Sequence, residues 1–248
     1  MQVCGEKMMG RLAIECRDLY TPYLSTLQRS ALQGVNCTIK AGDFVVLLGL
    51  NGAGKSTWLR SLLGLIPIQT GTIRINEVPL TPKTLTIVRR DMGILYQGGA
   101  LVPQLTALEN VLCGCLGQRS SWQTLLGFSR QDRDRALECL AKVGLDSQGE
   151  QKTSQLSGGQ RQRVAIARLL MQSPNILLVD EPTAGLDVQA ARQVMEILLQ
   201  LNRQEVTIVT VLHDLELAEA YGRRAIVLEQ GAIAYNGICK NLAAHFAD

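Results

Sequence analysis

Gly49-Leu50-Asn51-Gly52-Ala53-Gly54-Lys55-Ser56-Thr57 is a glycine, four residues, and then Gly-Lys-Ser/Thr. Upstream lies the apolar run Phe44-Val45-Val46-Leu47-Leu48, and downstream Trp58-Leu59-Arg60-Ser61-Leu62-Leu63 suits a helix, so the loop joins a buried strand to a helix start. Glycines let successive backbone N–H groups converge on an anion with no Cβ in the way, and the helix N-terminus adds positive potential. Lys55 can neutralise β- and γ-phosphates, and the Ser56 hydroxyl can ligate Mg²⁺, which prefers hard oxygen donors. By itself the stretch predicts a phosphate-binding loop of a nucleoside triphosphatase.

Working outward, Ile176 to Val179, Val206 to Leu212 and Ala225 to Leu228 also lack polar alternation. Strands of this kind are covered on both faces, which predicts a parallel sheet flanked by helices. The first of these runs ends in Asp180-Glu181. Buried carboxylates are costly unless paired or metal-bound, so two of them at a strand end beside a phosphate loop point to chemistry. Asp180 is expected to hold Mg²⁺, directly or through water, and Glu181 to polarise the water that attacks in a phosphoryl transfer. Alternating pieces at Leu12 to Leu19 and Thr72 to Asn76 predict an antiparallel lobe with one wet face. From about Gly98 to Gln155 the periodicity becomes helical. Ser129 is placed to cap a helix from Arg130 to Val143, with Asp132 completing the cap, apolar Ala136, Leu137, Leu140 and Ala141, and Gly144 ending it.

Leu156-Ser157-Gly158-Gly159-Gln160, ahead of the helix-compatible Arg161 to Met171, is a second place where N–H groups at a helix start would welcome a phosphate. Together with the first loop and Asp180-Glu181 it resembles the signature of the ABC ATPases. Gln97, in Met92-Gly93-Ile94-Leu95-Tyr96-Gln97, resembles that family's Q-loop glutamine; His213, in Val211-Leu212-His213-Asp214, its switch histidine; Asp187, in Ala184-Gly185-Leu186-Asp187, its D-loop. Taken singly, Gln97 is a surface amide and His213 a strand-end histidine, and only their order and spacing with the other motifs give them roles. Tyr23 aligns with the aromatic that stacks on adenine, with Tyr20 as its competitor.

The resemblance runs from about Leu12 to Gly237. It implies an α/β fold, an ABC-type P-loop ATPase with a RecA-like parallel-sheet core, an N-terminal antiparallel β lobe and an inserted helical lobe at about 98–172, all in one domain over 1–248. It implies ATP and Mg²⁺ as cofactors, with Gly49, Asn51, Gly52, Ala53, Gly54, Lys55, Ser56 and Thr57 around the nucleotide. Ser56, Asp180 and Gln97 would stand at the Mg²⁺, and Glu181, His213 and Gln97 would serve hydrolysis. It also implies a dimer, most simply a homodimer, in which Ser157, Gly158, Gly159, Gln160 and Asp187 act in trans on the ATP held by the second subunit.

The chain as a whole bounds these expectations. At 248 residues, 46% hydrophobic and 19% charged, it suits one folded body rather than a disordered chain. Its 25 basic and 22 acidic residues are interspersed, so charge does not favour nucleic acid as a partner. No apolar run approaches the roughly 20 residues of a membrane span, and the N-terminus lacks the apolar segment of a secretory signal, which predicts a cytosolic chain. Seven scattered cysteines are expected as free thiols, and Cys113-Gly-Cys115 lacks the second pair of a zinc site.

A lone nucleotide-binding domain without a membrane segment resembles importer subunits, which dock on separate transmembrane permeases and are served by an external solute-binding protein. Leu105-Thr106-Ala107-Leu108-Glu109-Asn110-Val111 is similar to the stretch where a permease helix docks. Val111 to Phe128, with Leu116-Gly117, Trp122 and Leu125-Leu126-Gly127-Phe128, resembles the phosphonate or phosphite importer subunits, whereas Gly98-Gly99-Ala100 departs from their bulkier residues. Trp122, Leu125, Leu126 and Phe128 could equally form a docking face or plain core. The expected place is the cytoplasmic face of the inner or plasma membrane, peripherally bound. An ABC transporter for another solute, or a soluble ABC ATPase acting on ribosomes or DNA, stands as the alternative.

Overall fold

The computed structural model describes residues 10–24, 29–96, 98–118, 127–240 and 242, with backbone alone for Tyr23, Leu24 and Gln118. Strand β1 (Leu12–Tyr20) is followed by the short hairpin β2 (Tyr23–Leu24) and β3 (Arg29–Ser30), then β4 (Val35–Lys40) and β5 (Phe44–Leu48). Helix α1 (Lys55–Leu62) leads to β6 (Thr70–Ile75), β7 (Val78–Pro79), α2 (Leu85–Arg90) and β8 (Met92–Leu95). Helices α3 (Ala107–Leu112), α4 (Arg130–Lys142) and α5 (Gly158–Leu170) come next, with 3-10 turns between them. The chain then alternates through β9 (Ile176–Asp180), α6 (Val188–Arg203), β10 (Thr207–Val211) and α7 (Leu215–Tyr221) before the hairpin β11 (Arg224–Glu229) and β12 (Ala232–Ile238).

Two sheets result. One is antiparallel, in the order β4-β1-β6-β7; the other has the order β12-β11-β5-β10-β9-β8, parallel from β11 to β8 with β12 returning antiparallel at its edge. The runs without alternation are the inner strands of the second sheet, β5, β9, β10 and β11. Their side chains divide with period two. Phe44, Val46, Leu48, Leu177, Val179 and Ile208 join the core formed with α3, α4, α5 and α6. Val45, Leu47, Ile176, Leu178, Val209 and Val211 join the core that holds α1 and the antiparallel sheet. Both faces are buried, which is why these strands carry no polar stripe.

β1 keeps one wet face with interruptions. Its register slips between Cys16 and Leu19, where Asp18 takes a φ of 47° and exchanges hydrogen bonds with Asn36: its N–H donates to Oδ1 at 3.0 Å and its Oδ1 accepts from Nδ2 at 2.8 Å. Cys16 faces Cys37 across β1 and β4, and burial pushes these thiols up to about 12 and about 11, so they sit as small apolar groups. The helix after Ser129 forms with the expected reciprocal cap to Asp132 and ends one residue before Val143. There the N–H groups of Gly144 and Leu145 close onto the Ala141 and Leu140 carbonyls at 3.0 and 2.9 Å. Leu137 is 41% exposed rather than in its apolar stripe.

Candidate active site

β5, β10 and β9 lie side by side and parallel, so the loops that leave their C-terminal ends meet at one edge of the sheet. The loop after β5 wraps into α1 through Gly54, whose φ of 108° and separation of only 2.6 Å between an added Cβ and the Ala31 carbonyl leave room for no side chain. Helix α1 is anchored by Trp58, fully buried with its indole N–H donating to Cys16 Sγ at 3.5 Å, and it closes with Gly64 and Leu65 N–H groups on the Ser61 and Arg60 carbonyls. Lys55 thereby projects under its own loop. Its Nζ donates to the carbonyls of Gly49 at 2.6 Å and Leu50 at 3.1 Å. Burial lowers the Lys55 pKa, while Glu181 and Asp180 oppose that shift.

Ser56 follows and donates its hydroxyl to Asp180 Oδ1 at 3.2 Å. Asp180, 7% exposed at the end of β9, has its pKa raised chiefly by burial and further by Glu181, against the lowering effects of Ser56, Arg60 and Lys55. One hydroxyl and one carboxylate, hard oxygens at hydrogen-bond separation beside a phosphate loop, fit Mg²⁺, a cation that keeps several waters. At Glu181 the chain turns sharply with a φ of 51°, unusual for a residue with a Cβ. That turn brings Glu181 Oε1 to 2.7 Å from Nε2 of His213, which stands just beyond β10. The two side chains are 24% and 46% exposed, so solvent reaches the pair. A cleft of about 320 Å³ lies between Gly49, Leu50 and Asn51 on one side and Leu212, His213 and Leu215 on the other. A wider groove of about 760 Å³ continues from Glu181 and His213 toward Leu186 and Tyr221.

Ser157, Gly158, Gly159, Gln160 and Asp187 gather elsewhere, at the starts of α5 and α6. Ser157 caps α5 by accepting the Gln160 N–H at 3.2 Å, and the Gln160 side chain accepts the Ser157 N–H at 2.9 Å. A Cβ on Gly159 would come within 2.8 Å of Ala190 Cβ, and one on Gly158 within 3.3 Å of Leu186, so the two helix starts are seated directly on each other. Asp187 caps α6 by accepting the Ala190 N–H at 2.8 Å. Tyr20 ends β1 with its hydroxyl against Gly34. Gln97, the Tyr23 side chain and Trp122, Leu125 and Leu126 lie outside the described residues.

Two contributors are absent from the sequence expectations. Arg29 donates to the Gly52 carbonyl at 2.9 Å, and Gly231, in the turn between β11 and β12, donates its N–H to the Ala53 carbonyl at 3.0 Å. Gln230-Gly231 is legible as a turn, but its contact with residues about 180 positions earlier leaves no local signal.

A phosphate loop, two strand-end carboxylates, a histidine on one of them and a second glycine-started helix together describe an ATP-binding cassette. The chain belongs to the ABC transporter family, whose model matches residues 32–184, and it is an ATPase of that family. It is 57% identical over 239 residues to Phosphonates import ATP-binding protein PhnC 2 of Nostoc sp. (strain PCC 7120), covering 96% of this chain and 98% of that one. It is 44% identical over 211 residues to the PhnC of Lactobacillus johnsonii, covering 83% of each. Among solved structures, the dimeric post-hydrolysis state of the ATP-binding cassette MJ0796 bound to ADP and Pi superposes with a TM-score of 0.80 at 36% identity, over 92% of this chain and 99% of that one. The cbiO1 subunit from Clostridium perfringens superposes with a TM-score of 0.82 at 28% identity, over 95% and 92%.

Proposed function

We propose that this chain is the motor subunit of an importer for phosphonates, phosphite or a related oxyanion, working as a homodimer bound peripherally to the cytoplasmic face of a membrane. The observation that carries this reading is the 57% identity to a phosphonates import ATP-binding protein along nearly the whole of both chains. Residues 1–248 act as one catalytic domain, with the helices between about 98 and 172 as its inserted lobe.

Lys55 and the loop N–H groups hold the phosphates. Ser56, Asp180 and Gln97 would hold Mg²⁺, which when bound would supply charge stabilisation to the phosphates. Glu181 orients and deprotonates the attacking water, and His213, at 2.7 Å from its carboxylate, fixes that carboxylate and faces the developing charge. Tyr23 stacks on the base. Ser157, Gly158, Gly159, Gln160 and Asp187 close over the nucleotide of the second copy, an arrangement supported by the dimeric state of the MJ0796 cassette. The segment from Leu105 to Val111 receives a permease helix, and an external solute-binding protein acts through that permease.

Co-purified with its permease and binding protein, the complex should show ATPase stimulation by phosphonate or phosphite and none by an amino acid or sugar. Equal stimulation by all four would contradict the substrate class.

A further inference from the structure

The outer wall of the phosphate loop is held by two turns that are distant in sequence. Thr21 closes the base of the β2–β3 hairpin: its N–H donates to the Leu32 carbonyl at 3.3 Å and its hydroxyl oxygen accepts the Leu32 N–H at 3.0 Å. Next to it Gly231 accepts the Gln33 N–H at 2.8 Å and donates to Ala53 at 3.0 Å. Arg29 crosses between these turns. One guanidinium nitrogen donates to its neighbour's carbonyl, Ser30, at 3.2 Å, and the other to Gly52 at the loop tip at 2.9 Å. The space it crosses is kept open at Gly231, where an added Cβ would lie 3.0 Å from Arg29 Nη1 and 2.6 Å from the Ala31 carbonyl.

The hairpin that Arg29 closes is the one that carries Tyr23: Leu24 is paired with Arg29 and Tyr23 with Ser30. A two-residue ladder is marginal by itself, so its position depends on what it is tied to. We propose that Arg29 is a positioning residue for the nucleotide, tying the hairpin to the tip of the phosphate loop and so setting the distance between the place of the base and the place of the phosphates. The proposal rests on reading 49–57 as the phosphate loop and Tyr23 as the stacking aromatic. A rigid fork on two carbonyls fixes geometry in a way that a lysine on a flexible stem does not. The ligand class concerned is a triphosphate joined to an aromatic base, as opposed to a bare polyphosphate.

The test measures dissociation constants of the full-length chain for Mg-ATP and for inorganic tripolyphosphate, in wild type, Arg29→Lys, Arg29→Ala, Tyr23→Ala and the double variant Arg29→Ala/Tyr23→Ala. Arg29→Ala should weaken ATP about fivefold, the scale of one stacking contact, with tripolyphosphate within about twofold. Arg29→Lys should fall between, and at saturating ATP kcat should stay within about twofold while KM rises. The Arg29→Ala loss should vanish in the Tyr23→Ala background. Equal losses on ATP and tripolyphosphate, or full additivity with Tyr23→Ala, would make Arg29 a simple cation beside the loop and overturn the proposal alone. Wild type that binds tripolyphosphate as tightly as ATP would overturn the base-stacking reading along with it.

Discussion

At the residue scale the site is a concentration of buried charge. Lys55 has its pKa lowered by burial and Asp180 its pKa raised by burial, so each would be easier to keep in the folded chain if it were neutral. A folded-state carboxyl above its unfolded value of 3.8 carries no penalty below that value, acquires one as pH rises through the folded pKa, and keeps it at neutral pH. Asp180→Asn should therefore raise the unfolding midpoint of the nucleotide-free chain at pH 7, by about 2–4 °C per kcal/mol relieved, and the gain should shrink toward pH 3. It should also abolish Mg-dependent ATP hydrolysis. A midpoint unchanged at pH 7 would remove the electrostatic strain from this description. Glu181→Gln should lower kcat by about 10²-fold or more while leaving ATP bound, the loss typical of a missing general base. Phosphate release at the wild-type rate would take Glu181 out of that role.

At the scale of elements, the helix starts are fixed by side-chain caps. Ser129→Ala in α4 removes a reciprocal cap far from the nucleotide, so it should cost about 1 kcal/mol of stability with ATPase activity unchanged. Gly159→Val places a branched side chain where even a Cβ meets Ala190 at 2.8 Å, so α5 and α6 must separate. That variant should lose ATPase activity more than tenfold with nucleotide affinity of the isolated chain retained, because the phosphate loop packs elsewhere, against Ala31 and Gly231.

These elements also mark what was legible in the sequence. Strands β5, β9, β10 and β11 were readable because burial on both faces leaves no alternating polar stripe, and α4 because Ser129, Asp132 and Gly144 are local cap signals. The slip in β1 at Asp18 was not, since it depends on Asn36 across the sheet. The loop 49–57 and Asp180-Glu181 were readable as residue types in order. Arg29 and Gly231 were hidden because each donates to a backbone carbonyl of a segment distant in sequence, and an accepting carbonyl has no residue-type signature.

At the scale of the whole molecule, the phosphate loop with Asp180, Glu181 and His213 forms one cluster at the ends of β5, β9 and β10. Ser157 and its glycines form another at the starts of α5 and α6. Two copies arranged head to tail would bring the first cluster of one against the second of the other, as expected of a closed twofold dimer. The most direct test mixes two inactive variants, Lys55→Ala and Ser157→Arg, and measures ATPase rate. In a mixed dimer one site combines both defects while the other keeps an intact Lys55 from one chain and an intact Ser157 from its partner. Activity should therefore reappear on mixing, up to about a quarter of the wild-type rate for random pairing. A mixture no more active than either variant alone would contradict the shared site.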